Sequence, residues 1–167
     1  MDTDKAKNRA KNNAYALLRQ RPRSEFEIRS RLKLKGYGGD VIEEVVESLR
    51  RVGEIDDARF AKLWVESRMH TNPMGDVVLK HELKLKGIAD PIIEATLEEK
   101  ARNYDEYEVA FNMAKEQFER FKKLDASASL GTGRRKALKR VYDFLLRRGF
   151  KYETVREIIE KIVVGHP

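Results

Sequence analysis

The sequence contains no cysteine. Disulfides, thiolate metal sites and cysteine nucleophiles are therefore excluded. Its three histidines, His70, His81 and His166, fall on separate segments without HxxxH or HExxH spacing, so neither a metal site nor a metalloprotease motif is expected. Long apolar runs are missing too. The opening "MDTDKAKNRAKNNAYALL" holds no stretch of signal-peptide length, and nowhere do about 18 apolar residues follow one another. A cytoplasmic chain with no membrane segment is the expectation. Strand-like alternation is absent throughout, which leaves a helical chain.

Charge is what the sequence has in quantity. Of 167 residues, 38% are charged and 41% hydrophobic, a balance that suits thin helical layers with much exposed surface better than one thick globule. The formal net charge of +7 and the pI near 9.5 suit a polyanion or an acidic protein surface as partner. This charge is unevenly spread: residues 1–53 carry +5, residues 54–103 carry −2 and residues 104–167 carry +4. A binder of one continuous phosphate backbone gains from basic residues in every part, so the acidic middle fits a protein partner at least as well.

The pentapeptide "LKLKG" occurs twice, ending at Gly36 and at Gly87. Apolar residues stand eight and four before each glycine, then one, six and ten after it. They are Ile28, Leu32, Tyr37, Ile42 and Val46 in one copy and Leu79, Leu83, Ile88, Ile93 and Leu97 in the other. A third copy ends at Gly149, with Val141, Leu145, Phe150, Val155 and Ile159 in the same places. Spacing of four places such residues on one helix face, and a glycine after it is a C-cap signal. Each copy thus reads as a helix, a tight turn and a second helix. Ser24 and Gly75-Asp76 are read as openings of the first helix of the pair, and Asp40, Asp90 and Thr154 as caps of the second. One further amphipathic helix precedes each pair. Its inward residues are expected to be Ala10, Ala14, Leu17 and Leu18 over residues 5–20, then Phe60, Leu63, Trp64 and Ser67, then Tyr107, Phe111, Ala114 and Phe118.

The expected architecture is all-α: three tandem three-helix, helix-turn-helix-like repeats forming an elongated, curved chain, over 1–53, 54–103 and 104–167. The stretch "KKLDASASLGTG", residues 122–133, is rich in small and turn-forming residues and is expected to be a loop within the third repeat. Helix-turn-helix pairs permit DNA binding, though three-helix packing is also a simple way to bury small apolar faces.

The densest basic run is "GTGRRKALKR", continued by Arg147 and Arg148. On a helix, Arg135 and Lys139 stand four apart, as do Lys136 and Arg140, giving two stripes beside Leu138, Val141 and Leu145. Like charges at this spacing repel, so a polyanion or an acidic partner is implied, against the alternative of a merely solvated face. Arg134, Arg135, Lys136, Lys139, Arg140, Arg147 and Arg148 are the candidate binding residues, with Lys33, Lys35, Lys84 and Lys86 behind them. "GTGRRK" is no phosphate-binding loop, because it lacks the spacing and the hydroxyl after Lys. The carboxylates fall at caps or solvated faces, Asp56-Asp57 among them, so no catalytic residue, metal or cofactor is expected and the chain is read as a non-enzyme.

Three segments carry a family resemblance: "GEIDDARFAKLWVESR" at 53–68, "HELKLKGI" at 81–88 and "LLRRGFKYETV" at 145–155. Together they resemble the RecX family of recombinase regulators over nearly the whole chain. The acidic pair followed by Arg-Phe-Ala is the most specific part, with Asp56, Asp57, Arg59, Phe60 and Trp64 as signature residues beside Gly36, Gly87 and Gly149. The resemblance implies tandem three-helix repeats and a monomer that binds the RecA filament on single-stranded DNA. It further implies inhibition of filament extension, ATP hydrolysis, strand exchange and co-protease action, with direct binding of single- and double-stranded DNA. One departure stands out. The family commonly has a basic segment after the glycine of "NPMGDVV", where this chain has Asp76. The rival classes are a helical DNA-binding module that competes for nucleic acid and an interaction scaffold with no nucleic-acid role. A gel-shift salt series separates those two.

Overall fold

The computed structural model describes residues 2–124 and 130–165, and His166 lies outside them. Nine helices and no strand occur among the described residues. They are α1 (Asp2–Gln20), α2 (Glu25–Leu34), α3 (Gly39–Arg51), α4 (Asp57–Thr71), α5 (Asp76–Leu85), α6 (Asp90–Asn103), α7 (Glu106–Leu124), α8 (Leu130–Arg147) and α9 (Tyr152–Gly165).

The expected turns form by one mechanism. Gly36, Gly87 and Gly149 take φ of +83°, +75° and +81°, where a Cβ would be strained. Each glycine N–H donates to the residue three before it, at 2.9 Å every time. The next N–H reaches back five residues, from Tyr37 to Leu32, Ile88 to Leu83 and Phe150 to Leu145, at 3.1–3.3 Å. This pair of bonds is the Schellman motif, which satisfies the last carbonyls of the preceding helix.

Helix openings agree less well with the expectation. Ser24 caps α2 with a reciprocal box: its Oγ accepts the Glu27 N–H at 3.2 Å while the Glu27 carboxylate accepts the Ser24 N–H at 3.4 Å. Asp40 is not a cap, because α3 begins one residue earlier with Gly38 in the cap position. Asp90 is the first residue of α6, and the Ile92 and Ile93 N–H groups bond Ala89 O instead. Thr154 lies inside α9, whose Val155 N–H bonds Lys151 O. Asp40 and Asp90 still sit in first turns, where a carboxylate complements the helix dipole.

The described chain divides into two compact units, one running through Val65 with Glu82–Thr96, the other made of Glu66–His81 and the chain from Leu97 onward. In the first unit α1, α2 and α3 pack around Ala10, Ala14, Ile28, Leu32, Val46 and Leu49, all fully buried. Leu17 and Leu18 are only half-buried at its edge. In the second, α7, α8 and α9 enclose Ala110, Ala114, Phe118, Val141, Leu145 and Val155. Alanines on the leading helix let its neighbours approach closely in both cores.

Two expected faces shift. In α4 the buried side chains are Phe60, Ala61, Val65 and Met69, whereas Leu63 is 44% exposed and Ser67 is exposed. The third leading helix likewise buries Ala110 with Ala114 and Phe118, leaving Tyr107 and Phe111 half-buried and stacked at 6.0 Å. The expected loop over 122–133 is also shorter than its composition suggests. α7 continues through Leu124 and α8 is already helical at Leu130, while residues 125–129 lie outside the described residues.

Each unit contains one seam built to the same plan. In the first, the turn at Lys86 and Gly87 meets the start of α2: Ser24 Oγ donates to Lys86 O at 2.6 Å, and a Cβ on Gly87 would overlap Phe26. In the second, the turn at Arg148 and Gly149 meets the start of α5: Gly75 N donates to Arg148 O at 2.8 Å, and a Cβ on Gly149 would lie 2.6 Å from Val78 N. Gly75 takes the place of Ser24, and its own missing side chain makes room for the Gly149 carbonyl. The first turn has no such neighbour, since a Cβ on Gly36 meets nothing within 4 Å.

Candidate functional site

The basic helix α8 displays the expected stripes. Arg135, Lys136, Lys139 and Arg140 are exposed along it, while Ala137, Val141 and Leu145 face the core and Leu138 is half-buried. Its first turn holds no acidic residue, and basic side chains follow directly. Cations near a helix N-terminus oppose the macrodipole by about 0.3–1 kcal/mol each, so the field here is positive from backbone and side chains together. Tyr142 continues the Arg135–Lys139 stripe at the next helical step, and its ring meets Tyr152 edge-on at 6.4 Å. Asp143 is the one acidic interruption of the face before the exposed Arg147.

Not every member of the basic run points to solvent. Arg134 donates to Val163 O at 2.9 Å, fastening α8 to the end of α9. The Arg140 guanidinium lies 5.8 Å from the Phe121 ring, a cation–π approach. Arg148 is a seam residue: its guanidinium bonds Asn72 Oδ1 and Pro73 O and lies 5.0 Å over Phe144.

The lysines of the two "LKLKG" segments separate in the same way. Lys33 and Lys35 are exposed. Lys84 pairs with Asp90 at 2.9 Å, and Lys86 is held in the seam, 2.9 Å from Glu27 and 4.7 Å over the Trp64 ring. The position before the glycine is thus a structural cation in the second and third copies, Lys86 and Arg148, and an exposed one, Lys35, in the first.

Glu27 completes that seam. Partial burial raises its pKa, but hydrogen bonds and charge from Arg21 and Lys86 outweigh this and hold the carboxyl at about 2, against an ordinary 4.5. A depressed carboxyl stabilises the fold fully above the unfolded value and loses that contribution as pH falls through the folded one. Glu27→Gln is therefore expected to lower stability by about 2 kcal/mol at neutral pH. The gap to the parent protein should close between pH 4.5 and about 2 in urea titrations, and a gap independent of pH would show that the ion pairs contribute nothing.

The signature residues build the entrance to α4. Asp56 Oδ1 accepts the Arg59 N–H at 2.9 Å as an N-cap, and Arg59 Nη2 donates to Gly53 O at 3.2 Å. Asp57 Oδ1 accepts the Glu25 N–H at 2.8 Å, and burial raises its pKa against the pull of that bond. Phe60 stacks on Trp64 at 5.9 Å, and Trp64 Nε1 donates to Glu82 Oε2 at 2.8 Å.

Sequence reasoning missed two residues. Lys100 is buried, with Nζ 2.7 Å from both Asp76 Oδ1 and Glu106 Oε2. Asp76 thereby acquires a structural role as counterion of a buried lysine. Arg23 is also buried, on the connection between α1 and α2, and nothing in its local pattern marks it. Among the described residues no group of three or more His, Asp or Glu is placed to hold a metal ion, and no helix is long and apolar enough to cross a membrane.

Comparison with known proteins gives one consistent answer. A family model described as "RecX, first three-helix domain" matches residues 10–49, and one described as "RecX, second three-helix domain" matches residues 56–97. The regulatory protein RecX of Prosthecochloris aestuarii is 34% identical over 164 residues, covering 98% of this chain and 97% of that protein. Its Clostridium acetobutylicum counterpart is 31% identical over 153 residues, covering 92% and 68% respectively. The crystal structure of RecX from Lactobacillus salivarius shares the fold, with a TM-score of 0.77 at 24% identity over 96% of this chain and 99% of that one.

Proposed function

The chain belongs to the RecX family of regulatory proteins, and from that premise we propose that it is a cytoplasmic negative modulator of the RecA recombinase. In this reading it binds the RecA filament on single-stranded DNA as a monomer. Filament extension, ATP hydrolysis, strand exchange and co-protease action are all inhibited. It does so as three tandem three-helix repeats, with no catalysis of its own. Repeated helical units can engage neighbouring subunits of a polymer at once, and linked contacts raise effective concentration.

The observation that carries this proposal is the exposed stripe of Arg135, Lys136, Lys139 and Arg140 on α8, set beside a positive helix N-terminus. Exposed cations with no acidic residue in the preceding turn are what a phosphate backbone or an acidic subunit surface selects. Lys33, Lys35 and Arg147 remain accessible as supporting contacts, whereas Lys86 and Arg148 belong to the seams.

The test is ATP hydrolysis by the cognate RecA, preassembled on excess single-stranded DNA, with this chain titrated well below one copy per subunit. Inhibition at that ratio is expected. Replacing Arg135, Lys136 and Lys139 by Glu should abolish it and flatten the salt dependence of oligonucleotide binding by about two in log–log slope, since each lost single-strand phosphate contact removes roughly 0.7. No effect until the DNA is saturated would favour the second reading, a helical DNA-binding module acting by competition for nucleic acid. The net charge of +7 favours that alternative.

A further inference from the structure

Arg23 is a buried cation without a counterion among the described residues. Only 9% of the residue is exposed, yet its guanidinium bonds neutral acceptors: Nε to Leu17 O at 3.2 Å and Nη2 to Gln20 Oε1 at 3.4 Å. Burial pushes its pKa down and the charge of Arg21 adds to the effect, while Glu27, close enough to act through its charge but not paired with it, opposes them. Neighbouring Arg21 shows the usual solution, a two-point pair with Glu27. A desolvated charge held only by neutral acceptors is costly, and a ligand of opposite charge would offset that cost. Support for the end of α1 explains the Nε bond to Leu17 O, but a neutral amide would provide that bond without the charge.

Arg23 lines a cleft of about 320 Å³ in the first unit. Arg59 lines the same cleft and commits only Nη2, to Gly53 O. Leu18 and Leu63 supply apolar wall, Leu63 being 44% exposed. Glu54 and Asp56 line it too, and neither forms an ion pair with Arg23, Asp56 being engaged as the α4 cap.

We propose that this cleft binds the side-chain carboxylate of an acidic segment on a protein partner, held by Arg23 and Arg59, with an adjoining apolar residue against Leu18 and Leu63. The planar fork of a guanidinium matches a carboxylate in two-point geometry. A nucleic-acid strand suits the place poorly, because it brings a charge at every residue past Glu54 and Asp56 and offers nothing to the apolar wall. This inference rests on the reading that the chain binds a protein partner and names the chemistry by which it does so.

The experiment uses the full chain and a short fluorescein-labelled peptide alternating Glu and Leu, followed by fluorescence anisotropy. The Gln-for-Glu peptide and oligo(dT) serve as competitors. The Glu peptide is expected to bind and the Gln peptide not to compete. Arg23→Gln should weaken binding about tenfold or more and Arg59→Ala about threefold. Thermal stability of Arg23→Gln should hold or rise, because the amide keeps a donor for Leu17 O and the unpaired charge is gone; a purely structural arginine predicts a fall instead. Absence of binding, equal binding of the Gln peptide, or an unchanged affinity in Arg23→Gln each overturns the proposal. Displacement by oligo(dT) with the same Arg23 dependence also overturns it, making the cleft a phosphate site. The outcome is separable from the recombinase reading: a chain that binds the peptide but leaves ATP hydrolysis untouched keeps the cleft and loses the regulator, and the converse result loses only the cleft.

Discussion

Gly149→Ala is expected to cost about 3 kcal/mol or more and to lower the melting temperature by roughly 10 °C, while Gly36→Ala, at the same position of the first turn, costs only about 1 kcal/mol. Both glycines have φ near +80°, so the backbone penalty of an alanine is common to the two. They differ in surroundings. A Cβ on Gly149 would stand 2.6 Å from Val78 N and from Val78 Cγ2, whereas one on Gly36 meets nothing within 4 Å. Backbone cannot swing aside as a side chain can, so the overlap is relieved only by opening the seam between the α8–α9 turn and the start of α5. Gly87→Ala should cost about as much as Gly149→Ala, since its Cβ would overlap Phe26 Cβ, which is fixed to the α2 backbone and is not moved by turning the ring. Chemical unfolding of the three variants gives the ranking. Equal costs for Gly149 and Gly36 would mean that the seam contributes nothing beyond the turn itself.

That ranking bears on what the sequence could reveal. The repeated glycine and its apolar companions were legible because a Schellman turn fixes both at constant offsets, and every helix pair followed from them. The seam was not legible: Lys86 and Arg148 look like Lys35 in their local pattern, and what distinguishes them lies far along the chain, at Glu27 for one and Asn72 for the other. The register of α4 was misread because Leu63 and Trp64 outweigh alanine on any hydrophobic count. Trp64 stands half out of the core so that its indole N–H can reach Glu82. Ala61 stands as far before Gly87 as Ala10 does before Gly36, so aligning the repeats backward from the glycine would have placed Ala61 and Val65 inward at once. The opening of α8 was hidden by turn-forming composition, yet Gly133 is helical and buried.

The candidate site divides along the same line. Spacing on a single helix was enough to place Arg135, Lys136, Lys139 and Arg140 on one exposed face, because a helix surface follows directly from sequence. Residues whose role depends on a distant partner were invisible, and these are the seam cations and Lys100, while Arg23 was missed although its acceptors on Leu17 and Gln20 lie close in sequence. Exposure and pairing, rather than charge alone, separate candidates for binding from parts of the scaffold.

Lys100 makes the point measurable. Lys100→Met is expected to destabilise the fold by about 3 kcal/mol, because it removes the cation that bonds both Asp76 and Glu106 and leaves two carboxylates facing a buried methyl thioether. The lysine side chain is 2% exposed and its carboxylates are 29% and 21% exposed, so water compensates the acids only in part. Both acids open helices, Asp76 at the start of α5 and Glu106 at the start of α7, and the helix dipoles hold them in place after the lysine has gone. Removing all three charges together, as Lys100→Met with Asp76→Asn and Glu106→Gln, should recover most of the loss, since a buried ion cluster replaced whole is often close to neutral. Urea titration of the single and triple variants decides it. A single variant within about 0.5 kcal/mol of the parent would show that the cluster contributes no more than a surface pair. Recovery in the triple variant would show that the loss in the single one comes from stranding Asp76 and Glu106 opposite a vacated cation position.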